Sequence, residues 1–107
     1  AEAVSFAEKS GIVDPLKLVK ALKGGWADSQ PFQIMAPRFA ARKTDPLIGH
    51  TDTMLKDLDT ARDVAANNGA PLPMATLASD LFRQVCSAGY GEKDIGSVMT
   101  LYDQIEE

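Results

Sequence analysis

Apolar residues recur along this chain at helical spacing, and no stretch alternates as a strand would. The longest periodic segment is Thr51–Gly69, where Met54, Leu58, Ala61 and Ala65 step by four, three and four. Leu55 and Val64 widen that stripe, which marks one buried helix face. Thr51 is placed to cap this helix, and Asp52 sets negative charge where the helix dipole favours it. Asn67-Asn68-Gly69 ends it, and Pro71 and Pro73 form a rigid connector. A second stripe then runs through Met74, Leu77, Ala78, Leu81, Val85 and Ala88, opposite Ser79, Asp80, Arg83, Gln84 and Ser87. Gly89-Tyr90-Gly91 breaks it. Asp94 is placed to cap a last helix with Ile95, Val98, Met99, Tyr102 and Ile105 facing inward.

The front half reads as shorter helices. Ala3, Val4, Phe6 and Ala7 share helical spacing before Gly11, a natural stop. The opening is already helical with no capping residue ahead of it, which predicts a helix that begins earlier in a longer protein. Asp14-Pro15 is a strong start signal for a helix carrying Leu16, Val19 and Leu22 as far as Gly24-Gly25, with Lys17, Lys20 and Lys23 on a solvated side. Asp28 or Ser29 caps the next helix, whose apolar members are Phe32, Ile34 and Met35. Pro37 removes a backbone donor and predicts a break or kink near Ala36, with Phe39 and Ala40 continuing the apolar side to about Arg42. Lys43-Thr44-Asp45-Pro46 is loop chemistry. The sum is an all-α fold, one compact bundle of five or six helices over residues 1–107.

Composition narrows the classes of function. A net charge of −4 lacks the basic face that a nucleic-acid binder shows. No apolar run approaches the ~20 residues of a membrane-spanning helix, and no signal peptide is visible. The single cysteine, Cys86, has no partner for a disulfide, reads as a small buried thiol, and cannot build a metal site with the lone His50. A reducing, cytoplasmic compartment is the default.

Chemistry-bearing spacing is sparse. Gly89-Tyr90-Gly91 lacks the third glycine and the preceding strand of a dinucleotide fingerprint, and no phosphate loop or catalytic triad is present. What remains is Lys56 and Asp57, adjacent on the long helix and diverging by about 100°. Their plainest reading is an i, i+4 ion pair of Asp52 with Lys56, worth roughly 0.3–0.5 kcal/mol, beside a solvated Asp57.

The segment Met54–Val98 adds a second reading. Lys56-Asp57-Leu58 on a long helix, then Pro71-Leu72-Pro73, Gly89-Tyr90-Gly91 and Asp94-Ile95-Gly96-Ser97 stand in the order found in the C-terminal helical domain of the β-hydroxyacid dehydrogenases. The chain resembles that family, which includes 3-hydroxyisobutyrate dehydrogenase, tartronate semialdehyde reductase and threonate dehydrogenase. Ala88-Gly89-Tyr90-Gly91 leans toward the threonate branch, and the resemblance extends to Gly24-Gly25 and to Ser29 at the head of a helix. It implies a fold like the C-terminal domain of 6-phosphogluconate dehydrogenase. It also implies an N-terminal Rossmann domain binding NAD or NADP as the partner, a small hydroxyacid substrate, and a homo-oligomer. Under it Lys56 lies near the cofactor, Asp57 helps arrange the catalytic site, Ser29 approaches substrate in addition to capping, and no metal is used. Asp94 and Ser97 serve to start a helix.

Two features depart from the family pattern. The family's catalytic lysine belongs to a Gly-x-Gly-x-x-x-Lys motif that this chain does not contain, and Gly49 stands where some members carry a phenylalanine seven residues before the Lys-Asp lysine. Without that lysine and the cofactor domain, these residues alone are expected to catalyse nothing. The competing reading is a stand-alone helical interaction module whose Trp26, Phe32 and Phe39 dock another helix or a second copy. Even then, a place for Trp26 at the edge of the core is the simpler expectation.

Overall fold

A computed structural model describes residues 1–103 of the chain. Six α-helices, α1 (Glu2–Ser10), α2 (Leu18–Leu22), α3 (Gln30–Ala40), α4 (Thr51–Asn67), α5 (Pro73–Val85) and α6 (Thr100–Asp103), form an all-α bundle. Short 3₁₀ turns at Pro15–Lys17 and Ile95–Met99 lead into α2 and α6, and a π-type turn at Cys86–Tyr90 follows α5. Val4 of α1, Ala36 of α3 and Met99 form the centre of the core, with Leu18, Val19, Phe32, Phe39, Ala40 and Tyr102 packed around them.

Local chemistry explains most element ends. Gly11 closes α1 at φ 69°, its N–H donating to Glu8 O. Asp14 accepts from Leu16 N at 2.9 Å, so Asp14-Pro15 starts the 3₁₀ turn rather than α2 itself. Ser29 caps α3 by accepting from Phe32 N at 3.1 Å, while Asp28 turns back to accept from Gly24 N. Gly24, Gly69 and Gly89 hold positive φ at the turns where the sequence places breaks. Arg42 ties the two ends of the bundle together: its guanidinium donates to Glu8 of α1 at 2.8 and 2.9 Å and to Asp103 of α6 at 2.6 and 2.9 Å.

Several expectations are corrected. Pro37 does not break α3, which runs unbroken from Gln30 to Ala40. The missing donor falls one turn before the helix ends, and burial of Ala36 with Phe32 and Phe39 against the core holds the segment helical. Thr51 is not a cap: it is the first residue of α4, 0% exposed, and its hydroxyl lies 3.0 Å from the carbonyl oxygens of Lys93 and Asp94, to which it donates. The inner face of α4 is buried at Thr51 and half-buried at Met54, Leu55, Leu58, Arg62 and Ala65, leaving Ala61 and Val64 exposed. Helix α5 is rotated to match. Ser79 is fully buried because Arg62 donates to its hydroxyl at 2.9 Å, whereas Met74, Leu77 and Ala88 face outward. Phe6 and Leu16 are exposed as well, and Trp26 is fully exposed rather than at the core edge. Cys86 is half-buried, and burial together with the Asp52 carboxylate raises its thiol pKa. Ile105, expected on the inner face of the last helix, lies outside the described residues.

The core is therefore small. Six apolar residues are buried among those described, and a dozen large ones are exposed. The radius of gyration, 14.9 Å, exceeds the roughly 13 Å of a compact chain of this length.

Candidate functional site

The start of α4 has no side-chain cap, yet its first donors are satisfied. Thr51 N donates to Lys93 O and Asp52 N to Gly91 O, each at 2.9 Å. Ile95 N returns a bond to Gly49 O at 2.8 Å, and His50 Nδ1 stands 2.9 Å from Glu92 O. Two chain segments, Ile48–Asp52 and Gly91–Gly96, are thus laced side by side. Asp94 is the knot. Its Oδ1 accepts from Ile48 N and its Oδ2 from Gly96 N, both at 2.8 Å, with Arg38 Nη2 3.6 Å from Oδ2. Burial pushes the Asp94 pKa up, but the N–H donors of Ile48, Gly96 and Gly49 and the Arg38 cation outweigh it and hold the pKa below its ordinary value. Arg38 spends Nη2 on Pro46 O at 2.7 Å, while its buried Nε has no hydrogen-bond partner among the described residues.

From this fixed start α4 carries Lys56 and Asp57 outward. Both are exposed, flanked by exposed Thr53, Thr60, Ala61 and Val64. The ion pair expected between Asp52 and Lys56 is not formed: among the described residues Lys56 joins no salt bridge. Asp52 instead lies against Gly91, near Cys86. The amine of Lys56 is therefore free to meet an anionic or polar group brought to this face.

Ser29 is on a different helix. Its hydroxyl accepts from Phe32 N, and no hydrogen bond among the described residues links it to Lys56 or Asp57. The first turn of α3 and the approach to α4 do flank one shallow apolar groove of about 270 Å³, lined by Gln30, Pro31, Ile34, Met35 and Ile48. A larger cleft of about 540 Å³ lies where α4 meets α5, with Asp59, Arg62, Asp63 and Arg83 among its walls. Its cations are already engaged, Arg83 with Asp59 at 2.9 Å and Arg62 with Asp59 at 3.6 Å, so it offers less to a charged ligand than Lys56 does. No three His, Cys, Asp or Glu side chains gather to hold a metal ion among the described residues. No helix among them is long and apolar enough to cross a membrane.

A family profile described as the NAD-binding region of NADP-dependent 3-hydroxyisobutyrate dehydrogenase matches residues 1–102. The chain belongs to this family. It is 29% identical over 106 residues to L-threonate dehydrogenase of Cupriavidus necator, covering 99% of this chain and 35% of that protein. It is 31% identical over 104 residues to the mitochondrial 3-hydroxyisobutyrate dehydrogenase of Mus musculus, covering 92% of this chain and 31% of that protein. The fold superposes on a crystal structure of 3-hydroxyisobutyrate dehydrogenase from Salmonella typhimurium with a TM-score of 0.80 and 27% identity, over 94% of this chain and 34% of that one. The chain thus spans about a third of the length of the relatives it matches.

The described residues offer donors for only part of a nicotinamide dinucleotide. Lys56, with no salt bridge among the described residues, offers a cation on an exposed helix face, a chemistry suited to a carboxamide, a phosphate or a carboxylate. The diphosphate itself needs a cradle of backbone donors at a strand-to-helix turn, which the helices α1–α6 do not form.

Asp94 is the residue whose role the sequence reading underestimated. It starts the last helical segment as expected, but its reach to Ile48 and Arg38 spans 46 and 56 positions, and no local pattern signals that.

Proposed function

We propose that these residues are the C-terminal helical domain of an NAD(P)-dependent 3-hydroxyacid dehydrogenase. A Rossmann domain of the same protein supplies most of the cofactor site, and the face of α4 that carries Lys56 and Asp57 closes the cleft. The observation that carries this reading is the unpaired Lys56 amine, exposed beside Asp57 on a helix locked at its start, in a chain of this family. Lys56 lies against the cofactor or the substrate carboxylate, offsetting negative charge in a poorly hydrated cleft. Asp57, on the next residue, orients groups around the reacting centre. Ser29 caps α3, next to Gln30 in the wall of the apolar groove, and is the residue of α3's start assigned to the small hydroxyacid. The nicotinamide, when bound, gives or takes the hydride, and the proton-handling lysine of the family pattern belongs to the Gly-x-Gly-x-x-x-Lys motif at the beginning of the interdomain helix, which residues 1–107 do not contain. Taken alone, residues 1–107 are inactive.

The exposed apolar side chains support a domain completed by contacts. Phe6, Ile12, Leu16 and Trp26, all within the first 26 residues, stand 59% or more exposed, which supports a homo-oligomer. The exposed Trp26 also favours the alternative of a free-standing interaction module.

The two readings separate in a titration of NADH and NADPH, followed by nicotinamide fluorescence. The full-length protein binds one of them and the isolated helical domain binds neither. A full-length protein that bound neither cofactor would overturn the dehydrogenase reading.

A further inference from the structure

Lys56 sits four residues beyond Asp52, about 6 Å along the helix axis at 1.5 Å per residue. Its position in space depends on how the first turn of α4 is held as well as on the packing of α4 against α5. That turn is held almost wholly by the Gly91–Gly96 segment, through Thr51 N to Lys93 O, Asp52 N to Gly91 O and the Thr51 hydroxyl. Beside the Thr51 hydroxyl and the His50 ring, a buried carboxylate joins the two segments: Asp94, 3% exposed, with one oxygen on Ile48 N and the other on Gly96 N.

We propose that Asp94 is a positioning residue for the Lys56–Asp57 pair, acting through the start of α4. This rests on the reading of Lys56 given above and assigns to a buried carboxylate the task of aiming it. The chemistry requires aspartate. Two N–H groups approach separate oxygens while a guanidinium stands 3.6 Å away, so an asparagine would turn an NH₂ toward an N–H donor and lose a bond. It also accounts for Gly96. A Cβ there would meet Asp94 Oδ2 at 2.9 Å and Lys43 O at 3.4 Å, so a side chain at this position would displace the carboxylate.

A double-mutant cycle in the full-length protein tests the assignment. Asp94→Asn is expected to raise the KM for the nicotinamide cofactor by about 5-fold, because the aim of Lys56 is lost. With Lys56→Ala already in place, the same change should move KM by less than about 2-fold. A purely structural role for Asp94 would give the same factor in both backgrounds and would overturn the proposal, as would an unchanged KM in folded Asp94→Asn. Should that variant fail to fold, Gly96→Ala replaces it in the cycle with the same expected pattern, since it displaces the carboxylate without removing it. If Lys56→Ala alone leaves the KM values for cofactor and hydroxyacid and kcat all unchanged, the reading of Lys56 fails first and this inference falls with it; a change confined to the hydroxyacid KM overturns the cofactor-directed form of the inference alone. Additivity of two individually effective variants removes only the role of Asp94.

Discussion

Replacing Thr51 discriminates between two ways of starting a helix. As a cap, Thr51 would accept a hydrogen bond, and aspartate or serine would serve as well. In this fold it donates, from a fully buried site, toward the carbonyl oxygens of Lys93 and Asp94. Thr51→Val keeps the shape and removes that donor. Both carbonyls keep another N–H, from Thr51 and from Ser97, so the loss is that of one ordinary hydrogen bond, about 1 kcal/mol. Thr51→Ser keeps the donor and deletes a buried methyl group, again about 1 kcal/mol. Thr51→Asp sets a carboxylate against two carbonyl oxygens without water and should cost about 3 kcal/mol or more. Urea unfolding of the 107-residue chain, followed by circular dichroism, reads these differences. At a slope of about 1–3 kcal/mol per molar, the aspartate variant shifts the midpoint by about 1 M or more, or leaves the chain unfolded in buffer. An aspartate variant within about 0.5 kcal/mol of the parent would refute the reasoning and restore the capping role.

Two other outcomes follow from the core and from the carboxylates. Met99 is 1% exposed at the centre of the bundle, so Met99→Ala should lose about 2–5 kcal/mol, whereas Met74→Ala at 85% exposure should stay within about 0.5 kcal/mol. Thermal melts of the two variants check the contrast, and equal losses would contradict the burial pattern. Asp103 and Asp94 both titrate below the ordinary aspartate value of 3.8, Asp103 through its hydrogen bonds from Arg42 and Asp94 through backbone donors that overcome its burial. Carboxylates with depressed folded pKa values stabilise the fold fully above the unfolded pKa and lose that contribution as pH falls through the folded one. Melting temperature should therefore be level between about pH 5 and 7 and fall below about pH 4, and a rise on acidification would contradict the assignment.

The helices were legible in the sequence because proline, glycine and short polar residues act on their immediate neighbours. Ser29 capping Phe32 N, Gly11 ending α1 and Pro73 opening α5 need only a few residues of context. Which side each helix buries was less legible. Met74, Leu77 and Val64 fit an apolar stripe, but Arg62 reaching Ser79 turns α4 and α5 so that a polar contact is inside and those side chains are out. Periodicity measures hydrophobicity, and the exposed apolar residues of a domain that meets partners carry the same signal as buried ones. The candidate site divides in the same way. Lys56 and Asp57 stand out only through the family pattern. That Lys56 lacks its expected ion pair, and that Asp94 holds the turn beneath it, depends on contacts across some forty residues that no local spacing encodes.

The central claim is that the Lys56 amine faces the nicotinamide cofactor or its substrate, and one substitution addresses it directly. Lys56→Ala in the full-length protein should raise the cofactor or hydroxyacid KM by about 10-fold, equivalent to about 1.4 kcal/mol. Because the side chain is exposed and unpaired, its melting temperature should stay within about 2 °C of the parent. Steady-state kinetics with both KM values and kcat unchanged would contradict the account.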